Sequence, residues 1–195
     1  MLGGTFDPIH VGHLAAAAAA IDCAHLDRVL LVPSSQPPHR AAAQAPAEDR
    51  LAMSRLAIEG DPRLEVSDVE VRRGGPSYTA DTLDELHRAF PEDELFLILG
   101  WDAASLFKTW HEPERVGGLA SLVIVGRPGM PAPTAADLKT AGLDPDRVVM
   151  CLLPTPDISG SELRIAIGAG RSAAGWVPPA VERYIAERRL YGDNR

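Results

Sequence analysis

Residues 2 to 14 read LGGTFDPIHVGHL and run into six consecutive alanines at 15 to 20. Within that stretch two histidines three residues apart, His10 and His13, follow a glycine pair, Gly3 and Gly4, and a hydroxyl, Thr5. These types in this order suit an anion. Glycines let backbone approach phosphate oxygens, Thr5 adds a donor, and a helix N-terminus offers unpaired N–H groups at the positive end of its dipole. The i, i+3 spacing puts both imidazoles on one side of a first helical turn, and Gly12 between them keeps that end open to a ligand. The plainer reading is a glycine turn with two structural histidines. Neither GxxxxGK[ST] nor GxGxxG occurs, which excludes a Walker loop and the dinucleotide fingerprint.

Such a cluster must be held by rigid elements, and the chain supplies them in alternation. Apolar runs that read as strands lie at 28 to 33, 63 to 67, 95 to 100, 121 to 126 and 147 to 154. Several are apolar throughout, as expected of strands covered on both faces. Helical patterns fall at about 13 to 25, 48 to 59, 79 to 89, 161 to 169 and 178 to 189, with a shorter one near 134 to 141. This alternation predicts an α/β fold, a doubly wound parallel sheet. In that architecture ligands bind beyond the carboxyl ends of the strands, where the glycine and histidine stretch would sit. The alanine run reads as a helix packed close on the sheet. Two long loops, 34 to 48 and 126 to 134, are candidate lids. With 195 residues and no internal repeat, one domain covering 1 to 195 is expected, its C-terminal helical part starting at about 158.

Composition removes several function classes. A net charge of -8 excludes a general phosphate-backbone binder, so no nucleic-acid partner is expected and any anion must be held locally. No apolar run approaches the ~20 residues of a membrane span and no leader pattern occurs, so no membrane partner and a cytoplasmic location are expected. Cys23 and Cys151 belong to no metal-binding cluster, which predicts neither zinc nor a disulfide and fits a reducing cytosol. The oligomeric state, a homo-oligomer included, is left open.

GGTFDPIHVGH (3 to 13) resembles the HxGH signature of nucleotidyltransferases that join ATP to a phosphate monoester. ISGSELR (158 to 164) resembles the second signature of that superfamily, an ISSTxIR-like stretch at a late helix start. Between them PPHR (37 to 40), RRGGPSYTADTL (72 to 83), GWD (100 to 102), TWHEPE (109 to 114) and GRPG (126 to 129) follow the order of bacterial nicotinate-nucleotide adenylyltransferases. The tail YIAERRLY (184 to 191) is also similar to theirs, so the resemblance spans nearly the whole chain.

The resemblance implies a Rossmann-like nucleotidyltransferase fold and transfer of adenylyl from ATP to nicotinate mononucleotide. It implies catalytic roles for His10, His13 and Arg164, and ATP contacts from Gly3, Gly4, Thr5, Phe6, Gly100, Asp102, Arg127, Ser159 and Ser161. For the mononucleotide it implies His39, Arg40, Tyr78, Thr79, Trp110 and His111. Mg²⁺ would bridge the ATP phosphates, held by water and substrate rather than by protein ligands. Taken singly, Trp110 reads equally as core filler, Thr79 and Asp102 as helix caps, and the serines of ISGSELR, Ser159 and Ser161, first of all as caps. Two further readings stay open: a pantetheine-phosphate adenylyltransferase, which shares both signatures, and a nucleotide sensor without turnover.

Three positions depart from the family pattern. Gly160 stands where a serine is usual, and Arg40 where a lysine is usual. Only Met1 and Leu2 precede Gly3, so the first strand is expected to be clipped or the chain to start upstream of Met1.

Overall fold

The computed structural model describes residues 1–37, 42–126, 129, 131–153 and 155–192. Six parallel strands form one sheet in the order β3-β2-β1-β4-β5-β6. They are β1 (Leu2–Gly4), β2 (Val29–Pro33), β3 (Leu64–Val66), β4 (Phe96–Gly100), β5 (Ser121–Val125) and β6 (Val148–Cys151). The direction of winding reverses between β1 and β4, and the crevice beyond the carboxyl ends of such a pair is where this architecture binds ligands.

The strand pleat explains why the runs are apolar throughout. Ile98 and Val123 join one buried cluster, while Leu97, Leu99, Leu122 and Ile124 join another, so alternate residues of β4 and β5 feed opposite faces. On the first face lie α1 (Val11–Ala24) and α9 (Pro179–Arg188), through Ala17, Ala20, Val181 and Ile185. The alanines remove side-chain bulk between helix and sheet, and Ala17 and Ala20 are fully buried. The second face takes α4 (Thr79–Ala89) through Leu83 and Leu86, and α6 (Pro113–Leu119) through Val116. The remaining helices are α2 (Ala47–Ala57), α3 (Val69–Arg73), α5 (Trp101–Ala104), α7 (Ala135–Ala141) and α8 (Gly160–Gly168). Of these, α3 and α5 have only five and four residues, too few to show a helical period, and α6 contains Gly117 and Gly118.

The first strand has three residues and is central in the sheet. Met1 prolongs its ladder: its nitrogen donates to Phe96 O at 2.6 Å, and its carbonyl accepts from Ile98 N at 2.9 Å. Met1 and Leu2 are both buried.

The expectation of no disulfide is corrected. Cys23, near the end of α1, is bonded to Cys151, the last residue of β6, with 5.6 Å between their Cα atoms and 128 residues between them in sequence. Spacing rules register cysteines that are close in sequence, whereas this pair meets only because α1 packs across β6. The cysteine argument for a reducing compartment falls with it.

Glu70, on α3, is buried and accepts from Thr82 Oγ1 at 2.6 Å. Burial, the dominant cause, pushes its carboxyl above the ordinary 4.5 despite that bond and Arg73 nearby. The folded state therefore holds this proton more tightly than the unfolded chain, and ionisation erodes stability as pH rises through and above the ordinary range. Glu70→Gln is expected to raise the melting temperature at about pH 7 and to raise it much less at about pH 4. An equal shift at both values would contradict the assignment.

Candidate active site

The first motif is built on the opening turn of α1. His10 is its N-cap, in extended conformation (φ -142, ψ 168), and His13 lies three residues on. Their rings stack with centroids 3.6 Å apart and planes 24° apart, so the spacing does bring both imidazoles together. His10 N donates to His13 Nδ1 at 3.3 Å, which leaves Nε2 as the proton-bearing nitrogen of a neutral His13. Phe6, buried and left-handed at φ 49, sets its ring edge-on against His13 at 5.0 Å. Gly12 is required by close approach: a Cβ there would stand 3.0 Å from His10 Nδ1 and 3.3 Å from the Pro156 carbonyl. Gly4 is required likewise, since its Cβ would meet the Phe6 ring at 2.7 Å.

The second motif opens α8. Ser159 is its N-cap and accepts from Glu162 N at 3.4 Å, so of the two serines Ser159 is the cap. Arg164 Nη2 donates to Ser161 Oγ at 3.2 Å, and Nη1 donates to the Asp7 carbonyl at 2.8 Å across 157 residues. Its Nε is buried without a partner among the described residues. A Cβ on Gly160 would lie 3.6 Å from Arg164 Nη1 and 3.8 Å from Asp7 O, so a serine would fit here and its absence leaves space beside the guanidinium.

Three residues that sequence reasoning missed hold these motifs together: Asp7, Arg50 and Tyr191. Asp7 is 6% exposed, and its carboxylate accepts from Gln44 N at 2.8 Å, Ala45 N at 3.1 Å and the Tyr191 hydroxyl at 2.8 Å. Arg50, on α2, is 1% exposed and donates to three carbonyls: Thr5 at 2.6 Å, Ser35 at 3.1 Å and Ala45 at 3.1 Å. Burial lowers the Arg50 pKa, opposed chiefly by the Asp7 charge, and a guanidinium stays cationic under such a shift. Asp7 sits inside the quoted motif and was available as a signal. Arg50, in AEDRLAMSRLA, reads as one charge of a solvated helix face.

A second group lies around α4 and α6. The Tyr78 and His111 rings meet at 4.2 Å, while Trp110 tilts against Phe107 at 5.6 Å and is half-buried. Thr79 is the first helical residue of α4, and Tyr78, not Thr79, is the N-cap. Arg115 ties the two helices, donating to Asp81 at 3.2 Å, Asp84 at 2.8 Å and Glu112 at 2.7 Å. The loop after β2 is attached to this group, because Ser35 N donates to Ser77 Oγ at 2.8 Å and Ser77 N to Gln36 O at 2.9 Å. One residue earlier the same segment touches the first motif, where Ser34 N donates to Gly4 O at 2.9 Å. Gly100 and Asp102 form a third group at the β4–α5 junction, beside β1 in the sheet. His39, Arg40 and Arg127 lie outside the described residues. A separate depression lined by Phe107, Lys108, Gly117, Gly142 and Arg147 contains none of the predicted site residues.

The cytidylyltransferase-like family model matches residues 1–166. A relative from Thermus thermophilus, named "probable nicotinate-nucleotide adenylyltransferase", is 48% identical over 191 residues, covering 98% of this chain and 97% of the relative. The chain belongs to the nicotinate-nucleotide adenylyltransferase family. A Corynebacterium kroppenstedtii relative of the same name is 43% identical over 194 residues, with 98% of this chain and 89% of the relative covered. Among solved structures, nicotinic acid mononucleotide adenylyltransferase of Plasmodium falciparum complexed with NaAD superposes with a TM-score of 0.78 over 97% of this chain and 95% of that one. At 19% identity that likeness establishes the shared fold. Membership makes the chain a nucleotidyltransferase of NAD biosynthesis.

Arg50→Met is expected to destabilise the fold by about 3–5 kcal/mol, because it strands three carbonyl acceptors in a buried site. Urea denaturation of the variant against wild type measures this; a loss below about 1 kcal/mol would mean that the three bonds are not holding the loops.

Proposed function

We propose that this chain transfers the adenylyl group of ATP to nicotinate mononucleotide, releasing pyrophosphate and forming nicotinate adenine dinucleotide. The observation that carries the reading is the convergence of the stacked His10–His13 pair with Arg164, joined through Asp7 although the motifs stand at opposite ends of the chain. A mononucleotide phosphate is already a nucleophile at neutral pH, so in-line attack on the α-phosphorus needs no base and no covalent intermediate. What the site must supply is position and charge compensation. The α1 N-terminus with Gly3, Gly4, Thr5 and Phe6 receives the triphosphate, and His13 Nε2 donates to it beside His10. Arg164, held on two sides by Asp7 and Ser161, keeps its remaining Nη N–H groups for the departing β and γ phosphates, with Ser159 and Ser161 at the same helix start. Gly100, Asp102 and Arg127 attend the nucleoside of ATP.

Among the described residues no three His, Cys, Asp or Glu side chains converge on a metal position. We assign Mg²⁺ as a divalent ion that arrives on the ATP phosphates and neutralises phosphate charge. The acceptor sits against Trp110, Tyr78, Thr79 and His111, its ring stacked on Trp110 and its carboxylate on main-chain amides around Trp110 and His111. His39 and Arg40 are assigned to its phosphate by the family resemblance alone. One domain, 1 to 195, carries all of this in our reading. It is supported by α9, from the C-terminal part, entering the same buried cluster as α1. We place the enzyme in the cytoplasm; no described helix is long and apolar enough to cross a membrane.

The direct test is pyrophosphate release from ATP with nicotinate mononucleotide, nicotinamide mononucleotide and phosphopantetheine in parallel. Turnover with the first well above the others is expected; none with any of them would defeat the reading. His13→Ala is expected to lower kcat by on the order of 10² or more with the fold retained by circular dichroism. Wild-type turnover in that variant would remove His13 from the phosphate clamp.

Discrimination between acid and amide follows from the donors. Main-chain N–H groups match a carboxylate and face N–H with N–H in the amide, a mismatch of roughly 1 to 3 kcal/mol per donor, so two give about 10² or more. Arg72 is engaged by Asp68 at 2.9 Å and Arg73 by Glu85 at 2.6 Å. The preference is therefore expected to survive Arg72→Ala and Arg73→Ala, while Trp110→Ala weakens binding of the mononucleotide. Comparing kcat/KM for both mononucleotides decides it, and loss of the preference in either arginine variant would assign the carboxylate to a side chain.

A further inference from the structure

Tyr191 is 184 residues from Asp7 in sequence and donates its hydroxyl to Asp7 Oδ1 at 2.8 Å. No step of the proposed transfer uses it. Asp7 is the junction of four segments, since its carboxylate takes Gln44 N, Ala45 N and the Tyr191 hydroxyl while its carbonyl takes Arg164 Nη1. Arg164 Nη1 also lies 3.9 Å from Asp7 Oδ2, so both the tilt of the carboxylate and the direction of the carbonyl bear on where the guanidinium rests. Burial, and secondarily the Asp7 charge, push the pKa of the Tyr191 phenol far above its ordinary value, so it stays a donor at any working pH.

The tail that carries Tyr191 is anchored without that hydroxyl. Asp49 on α2 accepts from Tyr184 Oη at 2.8 Å and from Arg188 Nε at 3.1 Å, both on α9. The Tyr191 ring packs against the first buried cluster. Its carbonyl fits against Gly168 at the end of α8, where a Cβ would stand only 2.9 Å away. Removing the hydroxyl therefore leaves the tail docked and takes one donor from Asp7. That separates a local effect on the site from loss of the C-terminal segment.

We propose that Tyr191 is a positioning residue for adenylyl transfer: its hydroxyl fixes Asp7, and the Asp7 carbonyl orients Arg164 toward the departing phosphates of ATP. The proposal rests on the reading of Arg164 as a phosphate-side group. Tyr191 touches neither substrate in it, so the acceptor side should not register its loss.

The test is a double-mutant cycle of Tyr191→Phe and Arg164→Ala in the full chain, with KM for ATP and for nicotinate mononucleotide measured separately. Tyr191→Phe is expected to lower kcat/KM for ATP about tenfold, as loss of a hydrogen bond to a charged group allows, with KM for the mononucleotide unchanged. In the Arg164→Ala background the same change is expected to cost little more, because the group it acts through is gone. Gly168→Ala, which displaces the tail without altering any side chain at Asp7, is expected to reproduce the ATP-side loss. Wild-type kinetics in Tyr191→Phe, equal losses for both substrates, or an undiminished cost in the Arg164→Ala background would each overturn the proposal while leaving the transfer reaction standing. An inactive wild type, or an Arg164→Ala variant with normal ATP kinetics, would instead defeat the reading beneath it.

Discussion

The carboxylate of Asp7 is withdrawn from water, and a buried anion is tolerable only when donors surround it. Here the donors come from far along the chain: two backbone N–H groups of the 42–45 segment, the hydroxyl of Tyr191, and the guanidinium of Arg164 close by. Each partner that compensates Asp7 is thereby fixed relative to the glycine turn that Asp7 follows. The loop after β2, the start of α8 and the C-terminal tail cannot move independently of the first motif without exposing that charge. Arg50 repeats the arrangement with opposite sign, a buried cation gathering the carbonyls of Thr5, Ser35 and Ala45.

This pairing explains how an acidic protein manages anionic ligands. A net charge of -8 repels polyphosphates at long range, so attraction has to be local and preorganised. In the site we propose, the α1 N-terminus, the two stacked imidazoles and Arg164 supply it, and they lie in one place because the sheet reverses its winding between β1 and β4. Asp7 neutralises part of that positive charge. It does so from the buried side, through bonds that use only some of the N–H groups of Arg164.

The group proposed for the acceptor is organised by different means. Glu112 is left-handed (φ 50), a conformation a non-glycine residue keeps only when its surroundings enforce it. Arg115 bonds Glu112 and, at the same time, Asp81 and Asp84 of α4, so the turn carrying Trp110 and His111 is tied to the helix opened by Tyr78 and Thr79. The 34–37 segment bridges this group to the phosphate side through Ser34 and Ser35.

By itself the sequence determined the α/β class, five strands and six helices to within a few residues, and the two motifs to which we assign the chemistry. It could do so because apolar periodicity, caps and glycine turns are local properties, and because GGTFDPIHVGH and ISGSELR are contiguous. The short helices at 69–73 and 101–104 left no trace, since one turn shows no period. Thr79 and Asp102 were legible as polar residues near helix starts but not as to which residue caps. The tertiary structure alone decided what distant residues do to one another. It turned Arg50 from a surface charge into a buried tie, brought Cys23 to Cys151, and set Tyr191 on Asp7 and Arg164 on its carbonyl. Those partners stand 128 to 184 residues apart in the last three pairings, and only the winding of the sheet, with the burial it enforces, makes them neighbours.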